Sequence, residues 1–216
     1  PDKVQEVISK VKNDGLLSTY EAVKHKLDEP FSLGYCSSGE VIQSKCEIFS
    51  IGDRVATNGP HAEIYAVPKN LAIKIDPNVS YEDAAFIPLA SVALQSIRNL
   101  DPKIGENINV IGLGIVGLLV VKILIANGCN VFASDLSEER LSLARMFGAK
   151  AATPDEFYSL VMSQTEVGSD SSIICTSTNS NEVISNSIGV TKKRGAIVLV
   201  GTAGMNLNRQ MFYDKE

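Results

Sequence analysis

Ile108-Asn109-Val110-Ile111-Gly112-Leu113-Gly114-Ile115-Val116-Gly117-Leu118-Leu119-Val120-Val121-Lys122-Ile123-Leu124 is the stretch that decides the fold. A short apolar run leads into glycines, and a longer apolar run follows them. The first reads as a buried strand and the second as a helix. Gly112 permits the tight turn. Gly114 has no Cβ, so a pyrophosphate can approach the backbone. Gly117 lets the helix sit close to the sheet. Free N–H groups and the dipole at the helix start favour phosphate charge there. Alone, this Gly-x-Gly-x-x-Gly pattern is weak evidence, but the chain continues as a nucleotide site requires. A second strand ends Val131-Phe132-Ala133-Ser134-Asp135, and Asp135 lies 18 residues after Gly117, close to the spacing of about 20 expected for a ribose-binding acid. A carboxylate there accepts hydrogen bonds from ribose hydroxyls and repels a 2′-phosphate, so NAD is favoured over NADP. The competing reading is a plain glycine turn with Asp135 as a helix cap.

Outward from this motif the chain alternates. Strands are expected at 109–111, 131–134, 173–176 and 197–200, with helices at 115–126, 137–147, 155–164 and 181–190. The strands are continuous apolar runs, as in a parallel sheet buried on both faces. Strand-helix alternation implies a doubly wound parallel sheet of the Rossmann type in the α/β class. Ligands in that fold lie at the carboxyl ends of the strands. Cys175-Thr176-Ser177-Thr178 and Val200-Gly201-Thr202-Ala203-Gly204 stand at two such ends. The expected cofactor-binding residues are therefore Gly112, Gly114, Ile115, Val116, Gly117, Asp135, Arg140, Thr176 and Gly201.

The part before Ser80 has a different texture. Val4, Val7, Ile8 and Val11 give the helical period within Asp2–Lys12. Ser18 and Glu21 resemble a capping box for a helix through Lys26, and Pro30 closes that region. Short runs at 39–43, 54–57, 62–67 and 71–74 predict a small, mostly antiparallel β domain, with turns at Gly52-Asp53 and Asn58-Gly59-Pro60. Ser80 caps a further helix, and Pro88 begins another that runs to about Leu100.

Bulk properties exclude several classes. The chain has 216 residues and a net charge of -5, from 25 acidic and 20 basic side chains. No long basic run exists and there is no Trp, so a nucleic-acid surface is not expected. Val116 to Ala126, interrupted by Gly117 and Lys122, falls short of the roughly 20 apolar residues of a membrane helix. Pro1-Asp2-Lys3-Val4 is no secretory signal. Cys36, Cys46, Cys129 and Cys175 are scattered, so a reducing, cytoplasmic setting is the expectation. The first residue is not Met, and Phe212-Tyr213-Asp214-Lys215-Glu216 forms no obvious terminal element. The chain thus reads as a fragment of something larger.

Several segments together resemble the medium-chain dehydrogenase/reductase superfamily. They are Gly34-Tyr35-Cys36-Ser37-Ser38-Gly39-Glu40-Val41, Ile51-Gly52-Asp53-Arg54-Val55-Ala56, Val67-Pro68-Lys69-Asn70-Leu71, Glu82-Asp83-Ala84-Ala85-Phe86 and Gly105-Glu106-Asn107-Ile108-Asn109-Val110-Ile111-Gly112. Their order and intervals follow the superfamily over nearly the whole chain. A narrower resemblance, through Pro1-Asp2-Lys3-Val4, Asn58-Gly59-Pro60-His61-Ala62-Glu63, Ala93-Leu94-Gln95-Ser96-Ile97-Arg98 and the final residues, is to the dehydrogenase half of bi-domain oxidoreductases. There that half is fused to a glucose-fructose-oxidoreductase-like domain, often in polysaccharide biosynthesis. The resemblance implies a truncated GroES-like unit at 1–87 and a Rossmann NAD-binding unit at 88–216 that lacks its last strand. It also implies a second oxidoreductase domain in the parent chain; the superfamily's homodimers often join edge to edge through that last strand, whose absence here leaves the uncovered edge to pair in some other way.

Zinc enzymes of this superfamily place a His-Glu pair after the glycine that corresponds to Gly34. Here Tyr35 and Cys36 stand there, and the position of a further Cys ligand falls near Leu89-Ala90. Zinc needs three or four converging N, S or O ligands, so no catalytic or structural zinc is expected. Cys36 and Cys175 read as small buried hydrophobes, and His25 as part of a solvated face. Tyr35 and His61 are the candidate proton donors, though for His61 a turn-forming role competes. The leading expectation is a zinc-independent, alcohol dehydrogenase-like enzyme that moves a hydride between NAD and a carbonyl or alcohol, on a small molecule such as a sugar or sugar nucleotide. The competing expectation is a non-catalytic NAD-binding or scaffold module. A zinc-free quinone or enoyl reductase comes third, because Asp135 argues against the NADPH such enzymes generally use.

Overall fold

The computed structural model describes residues 11–13, 15, 18–20, 24, 33–205, 209–213 and 215. Residues 11–13, 18–20 and 24 are helical, within the two helices expected near the amino terminus. The other residues of those two expected segments, with His25 and Pro30, lie outside the described residues.

A three-stranded antiparallel sheet comes first, ordered β1 (Ser37–Glu40), β2 (Arg54–Thr57) and β3 (Ala72–Lys74). Ser38 pairs with Ala56, and Ala56 with Ile73. Strand β1 ends at Glu40, before the expected Gln43. Past it, Val41 N–H donates to Asp53 O and Gly52 N–H donates back to Val41 O, which closes the hairpin. The strand expected at 62–67 is absent. That segment is a loop instead, held by the Tyr65 hydroxyl on Thr57 Oγ1 at 2.9 Å. The Tyr65 ring also lies against Gly59, where a side chain would collide with it.

Ser80 caps α1 (Tyr81–Ala84) by accepting the Asp83 N–H at 3.0 Å. Helix α2 (Ile87–Leu100) follows. Its first residue, Ile87, packs with Ala56, Ile75 and Ala84 under the small sheet, while Ala93 and Ile97 belong to the main core. One continuous helix thus serves both sheets, and the boundary expected at 87/88 falls in its first turn.

The second sheet is parallel. Its strands are β4 (Asn107–Ile111), β5 (Asn130–Ser134), β6 (Lys150–Ala152), β7 (Ser169–Ile174) and β8 (Thr191–Leu199), in the order β6-β5-β4-β7-β8. Helices α3 (Ile115–Ala126), α4 (Glu138–Met146), α5 (Pro154–Thr165) and α6 (Glu182–Val190) link them, and α7 (Arg209–Tyr213) follows β8. The order reverses between β5 and β7 around β4, so the crevice of a doubly wound sheet opens at the end of β4. Helix α3 is apolar on most sides, with Lys122 on its exposed side. Val120, Val121 and Leu124 are fully covered, together with Ile108 and Val110 of β4. The expected α/β Rossmann architecture, with a second small sheet, is what the chain forms. Strand β6 was not expected, since Ala149-Lys150-Ala151-Ala152 carries little strand signal. Strands β7 and β8 begin earlier than their apolar runs, and Thr176 lies beyond the end of β7.

Candidate nucleotide cleft

The glycine turn joins β4 to α3. Gly112 has φ +92°, and an added Cβ would stand 2.6 Å from Thr176 Cγ2 and 2.9 Å from Thr176 N. A Cβ on Gly117 would run into the carbonyl oxygen of Gly112. These glycines are required by close approach within the protein. Gly114 differs: nothing lies within 4 Å of its Cβ position. It is the N-cap of α3 and offers no side-chain cap, so the first-turn N–H groups lack the cap bond a Ser, Thr or Asp would give.

Asp135 stands just past β5, opposite the turn. Its Oδ2 accepts the Leu113 N–H at 2.6 Å, and its Oδ1 accepts the Ser137 N–H at 2.9 Å. Arg140 Nη1 is 3.5 Å from Oδ2. Arg140 is half exposed, and its guanidinium is part of the cleft wall.

The two strand ends on the other side are fastened together. Thr178 N–H donates to Thr202 O at 2.7 Å, and the Ser177 and Thr202 hydroxyls are 2.8 Å apart. A Cβ on Gly201 would collide with Thr176 O. Thr176 Oγ1 is buried and finds no hydrogen-bond partner among the described residues, and buried hydroxyls are ordinarily hydrogen-bonded. The neighbouring Cys175 thiol is pushed up to about 12 by burial.

A cleft of about 1110 Å³ runs along these strand ends. Gly112, Gly114, Asp135, Arg140 and Thr176 line it. Ile115 and Val116 begin the helix behind it, and Gly117 and Gly201 shape it through packing. Sequence reasoning missed Leu136, Ser137, Phe157, Tyr158, Glu182 and Asn186, which also line it. Leu136 is 88% exposed at the mouth. Its place directly after Asp135 in the sequence was the available signal. The contribution of α5 and α6 had no local signal at all. The cleft has the features a dinucleotide needs: bare backbone at Gly114, a helix start, a carboxylate and an unpartnered hydroxyl.

Tyr35 and His61 are not in the cleft lining. Tyr35 is 57% exposed, beyond Gly34 with its φ of +68°. The exposed His61 ring lies over Gly34, and His61 N–H donates to Leu33 O at 2.8 Å. The Cys36 thiol is raised by burial, an effect partly offset by a hydrogen bond from the Leu89 backbone. Among the described residues no group of three or more His, Cys, Asp or Glu could hold a metal. Helices long and apolar enough to cross a membrane are also absent among them.

Residues 116–215 match the family model described as zinc-binding dehydrogenase. The chain is 30% identical over 157 residues to (R,R)-butanediol dehydrogenase of Bacillus subtilis, covering 59% of this chain and 45% of that protein. It is 26% identical over 213 residues to mouse (Mus musculus) sorbitol dehydrogenase, covering 95% of this chain and 57% of the relative. The crystal structure of 2R,3R-butanediol dehydrogenase from Bacillus subtilis superposes with a TM-score of 0.74 at 26% identity, covering 86% of this chain and 63% of that one. The chain thus spans about half the length of these two curated relatives, and both are dehydrogenases.

Proposed function

We propose, from this kinship to alcohol and polyol dehydrogenases, that the chain is the nucleotide-binding part of a zinc-independent, NAD-dependent oxidoreductase. The observation that carries the proposal is the glycine turn with open space at Gly114, set against the Asp135 carboxylate across one cleft. When bound, the nicotinamide cofactor would supply the hydride chemistry, and the protein supplies position and electrostatics. Gly112, Gly114 and the start of α3 would receive the pyrophosphate. Asp135 and Arg140 would face the adenosine ribose, and Thr176 and Gly201 the nicotinamide half. The substrate class is an alcohol or carbonyl on a small polyol or sugar, by analogy with the relatives, or on a sugar nucleotide, by the resemblance to bi-domain oxidoreductases.

Zinc independence rests on residue types. Tyr35, Cys36 and Leu89 stand where the resembled superfamily has its ligands, and this set does not fit a zinc ion. No step is therefore assigned to a metal. A homodimer and a second oxidoreductase domain in the parent protein belong to the same reading. A non-catalytic NAD-binding module is the second reading, favoured by the placement of Tyr35 and His61 away from the cleft lining. Calorimetric titration with NADH and NADPH tests the first step, and NADH should bind more tightly. Binding of neither nucleotide would defeat the proposal. Transfer of label from NADH to added polyols by the full-length protein then separates enzyme from module. In that assay Tyr35→Phe and His61→Ala slow turnover only if these side chains take part.

A further inference from the structure

Asp135 occupies the ribose position, yet its carboxylate is turned mainly into the protein. Only 9% of the side chain is exposed. One oxygen holds the Leu113 N–H at 2.6 Å, and the other holds the Ser137 N–H at 2.9 Å. The backbone alongside adds a second tie, from Gly112 N–H to Ser134 O at 2.8 Å. The end of β5 therefore grips two consecutive amides of the glycine turn. Leu113 is also pinned from its other side, because its side chain is fully buried in the main core. Gly114, which follows it, touches nothing at its Cβ position.

We propose that Asp135 is a positioning residue for the phosphate site: its bond to Leu113 N–H fixes the glycine turn in the form that receives a pyrophosphate. This rests on the dinucleotide reading above and adds a role separate from ribose recognition. A hydrogen bond to an ionised acceptor is about twice as strong as a neutral one. A carboxylate offers about four acceptor sites, so two backbone bonds leave capacity for a sugar hydroxyl. Asp135 then acts on the nucleotide twice, once directly and once through the turn.

The two actions separate in a thermodynamic cycle. Wild type and Asp135→Ala are titrated with NADH and with an NADH analogue that lacks both hydroxyls of the adenosine ribose. Amide hydrogen exchange at Leu113 is followed in the same proteins without nucleotide. Loss of the turn contact should weaken the analogue by about tenfold or more and speed Leu113 exchange by a similar factor. Equal affinity of the two proteins for the analogue overturns the proposal and leaves Asp135 as a ribose ligand only. If Asp135→Ala does not fold, the wild type decides alone. Its Leu113 amide must exchange about tenfold more slowly than the first-turn amides of Ile115 and Val116, and equal rates overturn the proposal. Wild type that binds neither nucleotide defeats the proposed function, while Leu113 exchange still decides whether Asp135 holds the turn.

Discussion

A methyl group added at Gly117 runs into the carbonyl oxygen of Gly112, whereas one added at Gly114 meets nothing within 4 Å. Gly117→Ala should therefore cost roughly 1–3 kcal/mol of stability, the usual range for overpacking. Gly114→Ala should cost about 1 kcal/mol or less, the penalty of a poorer N-cap, but should abolish nucleotide binding. Urea denaturation and NADH titration on the same two variants check both halves. The cysteines offer a second contrast. Burial drives the Cys175 thiol up to about 12. The Cys46 thiol is lowered, chiefly by the Ser44 hydroxyl and then by the Phe49 backbone. Thiolate is the reactive form, so Cys46 should consume an aromatic disulfide reagent first at neutral pH and Cys175 last. Reagent kinetics on Cys46→Ser and Cys175→Ser variants give the order.

Strands β4, β7 and β8 are joined by side chains as well as by their ladders. Asn109 is fully buried. Its amide donates to Ser172 Oγ at 2.9 Å, and its carbonyl accepts from Ser169 Oγ at 2.7 Å. Ser172 in turn is hydrogen-bonded to the Thr191 hydroxyl at 2.7 Å. Asn109→Ala would leave the buried Ser169 hydroxyl without its acceptor, while Ser172 keeps Thr191, and should cost roughly 1–3 kcal/mol, the range for one unsatisfied buried group. A lowered urea midpoint with an unchanged slope is the expected readout. The same network explains what the sequence concealed. Ser169-Asp170-Ser171-Ser172 reads as polar loop, and its strand becomes evident only once Asn109 and Thr191 stand opposite. Helix α3 is the contrary case. Its glycines and its apolar run are local, so its limits were legible at 115–126. Gly112, Gly114, Asp135 and Thr176 were legible for the same reason, being tied to strand ends by spacing. Phe157, Tyr158 and Asn186 reach the cleft through tertiary packing of α5 and α6, which no local spacing encodes.

At the scale of the whole sheet, Asp170 ties β7 to both neighbours, accepting Asn107 N–H at 2.7 Å from β4 and pairing with Lys192 of β8. Burial raises the Asp170 carboxyl, but Lys192 and the Asn107 amide outweigh it and hold it below its ordinary value. Lys192 is raised by the same pairing. The signs fix the window. A depressed Asp170 contributes stability above its unfolded pKa of about 3.9 and loses it as pH falls through the lower folded value. A raised Lys192 contributes below about 10.4 and loses it as pH climbs through the higher folded value. Asp170→Asn should therefore lower the melting temperature at pH 7, with the difference from wild type shrinking at both extremes. Melting curves across pH measure this.

The strand order has one more consequence, and it concerns time. Strand β4 bonds on one side to β5, which follows soon after, and on the other to β7, with Asn109 and Ser172 separated by 63 positions. Pairings of such long range close slowly, because the intervening chain must first be ordered. A chain growing from a ribosome can therefore assemble β4, α3, β5 and α4 before Ile174 exists. At that stage the glycine fingerprint is already folded, but Gly112 has no Thr176 against it and one wall of the cleft has not been made. A nascent chain that stalls short of β7 would carry the glycine turn and its Asp135 contact with only part of the cleft built around them.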